Sequence, residues 1–144
     1  MLTLSDGGQP RVLIVDDDPG IVAALTGALA HWGYAVSIAS DGPQALQQAQ
    51  VARPHVVLLD LNMPGMGGLE VLRHLRAFDP AIGVIMMSGA GDEETRQAAL
   101  TLGAADFLRK PMRLQEVERS VAQRLVTRGL RETLRAGRKE SWQG

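Results

Sequence analysis

The chain has no cysteine, which excludes disulfides, reactive thiolates and zinc-thiolate sites. No apolar stretch reaches the length of a membrane span, because a charge or a glycine always intervenes. The first ten residues, MLTLSDGGQP, lack a basic segment and an apolar core, so no signal peptide and no membrane partner are expected, and a cytoplasmic, reduced setting follows. The only histidines, His31, His55 and His74, are scattered without metal-ligand spacing, so structural or surface roles are expected. There is no internal repeat and no low-complexity tract. What remains is ordinary for one domain: 144 residues, 45% of them hydrophobic, enough to bury a core.

A net charge of −1 indicates no partner by itself, but its distribution is uneven. Residues 1–112 carry 7 Lys+Arg against 12 Asp+Glu, a balance of −5, and residues 113–144 carry 8 against 4, a balance of +4. The body is acidic and the tail basic. The arginines between Arg113 and Arg138 are interleaved with Glu116, Glu118 and Glu132, and one aromatic, Trp142, follows them. A solvated helix face is therefore expected, with no direct nucleic-acid binding by this segment.

Short apolar runs alternate with longer amphipathic ones. Strands are expected at Arg11–Val15, Tyr34–Ala39, Val56–Leu59, Ile82–Met87 and Ala105–Leu108, and helices at Pro19–Trp32, Pro43–Ala52, Gly67–Ala77, Glu93–Leu102 and Leu114–Arg128. Five such units imply an α/β fold with parallel strands covered on both faces. VLIV and VVLL lack polar alternation, as central strands do, whereas YAVSIA alternates in part and suits an edge. Pro19 fits a first helical turn, Gly33 a left-handed helix stop, and Asp92 a cap for the helix after it.

In an open parallel sheet, ligands bind beyond the carboxyl ends of the strands. Strand one ends in Asp16-Asp17-Asp18, strand three in Asp60, strand four in Ser88-Gly89-Ala90-Gly91, and strand five in Arg109-Lys110-Pro111. Clustered carboxylates repel one another and raise one another's pKa unless they are neutralised. A small divalent ion does this, since Mg²⁺ takes oxygen ligands from one or two carboxylates. A carboxylate nucleophile, a divalent metal, a lysine and a hydroxyl together suit phosphoryl transfer. That chemistry needs positioning and charge more than proton shuttling, consistent with the absence of a histidine at these strand ends.

The segments VLIVDDDP, VVLLDLNMPGMGG, VIMMSGAG and DFLRKP resemble, in order and spacing, the four motifs of the receiver domain of bacterial two-component response regulators. The resemblance covers about residues 11–126. It implies a flavodoxin-like, doubly wound, five-stranded parallel sheet in the order 2-1-3-4-5 with five flanking helices. It also implies that Asp60 accepts a phosphoryl group from a histidine kinase or phosphotransfer protein. Asp16 and Asp17 match the acidic pair that holds Mg²⁺ (or Mn²⁺), Asp17 directly and Asp16 through water, with Asp60 and the backbone carbonyl of Asn62 completing the metal site. Ser88 and Phe107 match switch positions, Lys110 the lysine of the Lys-Pro pair, and Asp18 an auxiliary acidic position. The family's signal passes through the face built from helix four, strand five and helix five to an output domain or protein target.

The resemblance implies no enzymatic activity beyond self-phosphorylation and autodephosphorylation. Two other readings compete. A receiver-like module that works without phosphorylation would ordinarily have lost one of these acidic residues. An aspartate-nucleophile phosphatase of the haloacid dehalogenase type would use Asp16 and Asp18 and require a cap domain, for which this length leaves little room. Residues 1–10 are expected as a flexible N-terminus, 11–126 as the receiver domain, and 127–144 as a basic tail or linker helix. Leu130 and Leu134 could continue an amphipathic helix there and support a homodimer, although Gly129 and Gly137 each weaken a helix by about 1 kcal/mol relative to Ala.

Overall fold

In the computed structural model of the protein, residues 8–90 and 92–141 are described, with side-chain surroundings given as far as Thr127. Expectations for residues 1–7, Gly91, the side chains beyond Thr127 and Trp142 lie outside the described residues. Five strands, β1 (Arg11–Val15), β2 (Ala35–Ala39), β3 (Val56–Asp60), β4 (Gly83–Ser88) and β5 (Asp106–Arg109), alternate with helices α1 (Pro19–His31), α2 (Gly42–Ala52), α3 (Gly68–Phe78), α4 (Glu93–Thr101) and α5 (Leu114–Ser141). All strand pairs are parallel and the order is β2-β1-β3-β4-β5. This is the expected flavodoxin-like sheet.

Side chains alternate between faces along a strand, so each central strand feeds two cores. Leu13, Val15, Val57, Leu59, Val84 and Met86 pack with Ala45, Ala49, Val71, Leu72 and Leu75 of α2 and α3, and with Ala99 of α4. Val12, Ile14, Val56, Leu58, Ile85 and Met87 pack with Leu25 and Leu29 of α1 and with Val117, Val121 and Leu125 of α5. The strand residues in both sets are fully buried, which explains the absence of polar alternation in VLIV and VVLL. β2 lies at an edge and is only partly covered, with Ile38 44% exposed.

Most boundaries differ from the sequence reading by one residue. β2 starts at Ala35 because Tyr34 is spent closing the α1 turn, its N–H donating to Leu29 O at 3.0 Å. β3 includes Asp60, β4 runs Gly83–Ser88 and β5 runs Asp106–Arg109, so three strands reach one residue further toward the rim. α5 continues as one helix to Ser141, past the 114–128 span expected for the fifth helix itself.

The caps follow from residue chemistry. Asp18 accepts from the N–H groups of Gly20 (2.9 Å) and Ile21 (3.3 Å), Asp41 from Gln44 (2.8 Å) and Asp92 from Thr95 (2.8 Å). Gly33 adopts φ +95°, the left-handed stop that its position after α1 suggested. α3 is the exception: its N-cap is Gly67, which offers no side chain to the first-turn N–H groups. A β-carbon there would meet nothing within 4 Å, and the backbone (φ −74°, ψ 164°) is ordinary for a cap. Gly67→Ser is therefore expected to stabilise the protein by a few tenths of a kcal/mol, read as a small rise in urea midpoint at unchanged slope.

Candidate functional site

Parallel strands place their carboxyl ends on one rim, and the register makes this concrete. Val15 of β1 pairs with Leu59 of β3, so Asp16 and Asp60 follow at the same level, and Asp60 is opposite Met87, one residue before Ser88. Ser88 is opposite Arg109, one residue before Lys110. The Lys110 N–H donates to Ser88 O at 2.8 Å, extending the ladder to the lysine.

Carboxylate oxygens of Asp16, Asp17 and Asp60 all lie within 4.8 Å of one another. Asp16 and Asp60 are buried and Asp17 is exposed, so the cluster opens to solvent on the Asp17 side. Asp18 does not join it, because its carboxylate is committed to capping α1. The structure thus supports the cap role for Asp18 and gives no support to an acidic role at the site. Asp16 is engaged at both oxygens, accepting from the Asp18 N–H (2.9 Å) and from Lys110 Nζ (2.7 Å). Lys110 Nζ is also 3.4 Å from Asp60 Oδ1, and the same Asp60 oxygen accepts from the Asn62 N–H at 3.3 Å. One ammonium therefore bridges two buried carboxylates of three.

The electrostatics follow from this count. Burial, and next the charge of Asp16, push the Asp60 carboxyl above its usual range; Lys110 and the Asn62 N–H oppose this without cancelling it. Burial pulls the Lys110 ammonium down, but the hydrogen bond and charge of Asp16, together with Asp60, outweigh it, so its pKa lies above the usual lysine value. Among the described residues the ion pairs at this cluster are those of Lys110 with Asp16 and Asp60, so three carboxylates share one ammonium there and leave a demand for positive charge. Hard oxygen donors from two strand ends match what a small divalent ion takes.

The remaining predicted residues take their places around this centre. Ser88 is fully buried, and its Oγ accepts from the Ala90 N–H at 3.2 Å within the β4–α4 loop. Phe107, on β5, is partly buried against the α2–α3–α4 core. Asn62 is exposed in the β3–α3 loop, where Gly65 takes φ +78°, a conformation that lets the chain turn back into α3. Arg109 is exposed on the rim, and it is Lys110 that reaches the carboxylates. His55 is buried at the opposite, amino end of the strands, where its Nδ1 accepts from the Arg11 N–H at 3.0 Å, in keeping with a structural role. The sequence reading missed the backbone groups, the N–H of Asp18 and of Asn62, that orient the two buried carboxylates. It also passed over Gly68 beneath Asp60, for which the only sign was the doubled Gly67-Gly68.

An open parallel sheet with a lysine-bridged acidic cluster at its carboxyl rim, beside the point where strand order reverses, defines an α/β domain with a candidate ligand site at that rim. Comparison with known proteins narrows the class. Residues 12–122 match the response regulator receiver domain, and the chain belongs to that family. It is 41% identical over 121 residues to the transcriptional regulatory protein PrrA of Mycobacterium leprae, covering 84% of this chain and 52% of that protein. It is 38% identical over 120 residues to the DNA-binding response regulator MtrA of Mycolicibacterium smegmatis, covering 83% and 52%. The chain thus spans about half the length of these curated relatives. Among solved structures, a CheY-like receiver domain protein from Methanospirillum hungatei superposes with a TM-score of 0.81 at 27% identity, covering 84% of this chain and 97% of that one. A chain of the CheX–CheY–BeF3–Mg²⁺ complex from Borrelia burgdorferi superposes with a TM-score of 0.77 at 32% identity, covering 82% and 90%. No helix among the described residues is long and apolar enough to cross a membrane.

Proposed function

We propose that this receiver domain is a phosphoacceptor switch in which Asp60 takes a phosphoryl group from a histidine kinase or phosphotransfer protein. The carrying observation is the single ammonium of Lys110 held between two buried carboxylates, 2.7 Å from Asp16 and 3.4 Å from Asp60. Asp16, Asp17, Asp60 and the Asn62 carbonyl would hold Mg²⁺ (or Mn²⁺), and a bound ion would neutralise charge on the transferring phosphoryl oxygens. An Asp60 oxygen bonds to phosphorus as the donor's bond to phosphorus breaks, giving an acyl phosphate on Asp60. Lys110 positions Asp60 beforehand and pairs with a phosphoryl oxygen afterwards. Ser88 turns from the Ala90 N–H toward the phosphoryl group, and Phe107 repacks on β5. The resulting shift in the α4–β5–α5 face is a population change between two arrangements, which an output domain or protein partner reads.

The phosphatase alternative fares worse on specific geometry. Its nucleophile, Asp16, is buried with both oxygens already bonded, and its acid, Asp18, caps a helix. The test is intact-protein mass after incubation with acetyl phosphate. We expect one phosphoryl group, dependent on Mg²⁺ and lost again with time. Steady turnover of an external phosphomonoester without a protein adduct would reverse the assignment. No adduct with or without Mg²⁺ would favour a module that works without phosphorylation.

A further inference from the structure

The β3–α3 connection leaves Asp60, passes Asn62 and enters α3 at Gly68. The Gly68 N–H donates to Leu61 O at 3.0 Å, and the Leu61 N–H donates to Met87 O at 2.8 Å. The Asp60–Leu61 peptide is therefore held on β4, and the next peptide, Leu61–Asn62, on the first residue of α3. A β-carbon on Gly68 would lie 2.5 Å from Asp60 O, 2.7 Å from Leu61 Cα and 3.0 Å from Leu61 O. These are backbone atoms of the acceptor residue and its neighbour. At Gly83 and Gly103, by contrast, the nearest atoms belong to the long side chains of Arg124 and Arg76.

Something must give if Gly68 gains a side chain, and the surroundings decide what. α3 is anchored by Val71, Leu72 and Leu75, all fully buried, so it cannot lift without opening the core. β3 is laddered to both β1 and β4 as far as Leu59 and Asp60. The least restrained part is the stretch just past Asp60, which carries the Asn62 N–H that orients Asp60 Oδ1. We infer that Gly68 is a positioning residue for phosphoryl acceptance: its missing side chain lets α3 sit directly on the acceptor's own peptide, and so sets the Asp60 carboxylate and Asn62 backbone relative to Asp16 and Asp17. This rests on the phosphoacceptor reading of Asp60. φ at Gly68 is not in the left-handed range, so the requirement is for space, not for backbone freedom.

The adjacent glycine supplies the control, because Gly67 opens the same helix with nothing within 4 Å of its would-be β-carbon. Wild type, Gly67→Ser and Gly68→Ala are compared for initial labelling rate by acetyl phosphate across Mg²⁺ concentrations, alongside folded fraction by circular dichroism. A displacement near 1 Å at a reacting group can cost about 100-fold. We expect Gly68→Ala to be folded at the assay temperature, to label about 10- to 100-fold more slowly at saturating acetyl phosphate, and to need more Mg²⁺ for half its maximal rate. Gly67→Ser should match wild type in both respects. Labelling of Gly68→Ala at the wild-type rate would overturn the inference. So would a loss that merely tracks unfolded protein, since the glycine would then serve the fold and not the acceptor. If wild type itself accepts nothing, the phosphoacceptor reading has failed. The Mg²⁺-induced rise in melting temperature then decides the matter: a rise equal in wild type and Gly68→Ala would overturn the positioning role, and a smaller one in Gly68→Ala would uphold it.

Discussion

Lys110→Met should destabilise the protein by about 3 kcal/mol near neutral pH, the low end for removing one partner of a buried ion pair. The lysine side chain is 17% exposed, while the carboxylates it serves, Asp16 and Asp60, are 0% and 5% exposed. Methionine keeps most of the aliphatic stem, so the loss reports the ammonium and not the packing. Among the described residues, Asp16 would retain the Asp18 N–H and Asp60 the Asn62 N–H. For a domain of this size the expected fall in melting temperature is about 10 °C. Mg²⁺ should recover a large part of it. The variant's three carboxylates lose the Lys110 ammonium, and binding at about 100 times Kd returns about 2.7 kcal/mol. Thermal melts with and without Mg²⁺ therefore distinguish two models. A larger Mg²⁺ response in Lys110→Met than in wild type supports a shared electrostatic centre. A variant as stable as wild type without metal would mean that Lys110 does not neutralise the pair.

How much of this centre was legible beforehand depended on which physical signal carried each part. Periodicity located the strands, because a strand buried on both faces leaves an unbroken apolar run, and 12–15 and 56–59 are fully buried as that pattern required. Strand order does not follow from periodicity; it came with the resemblance, and the 2-1-3-4-5 sheet agrees. Gathering Asp16, Asp17, Asp60 and Lys110 required only parallel strands and a common rim. Less legible was the division of labour within Asp16-Asp17-Asp18. Three identical residues in a row end as a buried, doubly bonded carboxylate, an exposed one and a helix cap, and only the direction of each side chain after the strand separates them. Arg53 at φ +48° was also invisible, since punctuation at Ala52-Arg53-Pro54 marks a helix end without specifying a left-handed residue. The length of α5 was left open between a tail and a continuing helix, because a penalty of about 1 kcal/mol at Gly129 weakens a helix without deciding whether it ends. Gly68 shows the general limit: composition marks a glycine, but only packing tells whether its missing side chain makes room for backbone or for solvent.

Asp60→Asn should abolish phosphoryl acceptance while making the metal-free protein more stable. The first effect follows from chemistry, since an amide oxygen is a poor nucleophile and the acyl phosphate cannot form on it. Any labelling of the variant at the wild-type rate would move the acceptor elsewhere. The second effect has a sign that can be worked out. Burial, then the charge of Asp16, raise the folded-state pKa of Asp60 above its unfolded value near 3.8. A carboxyl with a raised folded pKa contributes stability that is fully present below the unfolded pKa and is lost as pH rises through the folded one. Ionised Asp60 is thus a cost at neutral pH, and asparagine does not incur it. Lys110 keeps its closer partner, Asp16, at 2.7 Å, so the substitution leaves no ammonium stranded. The gap in melting temperature between Asp60→Asn and wild type should widen from about pH 4 upward through the raised folded pKa, and level off above it. Mg²⁺ should reverse the order, since an ion at this rim would be held by three carboxylates in wild type and by two in the variant. A gap that does not change between pH 4 and neutrality would show that Lys110 already neutralises Asp60, and would remove the electrostatic demand on which metal binding at this rim depends.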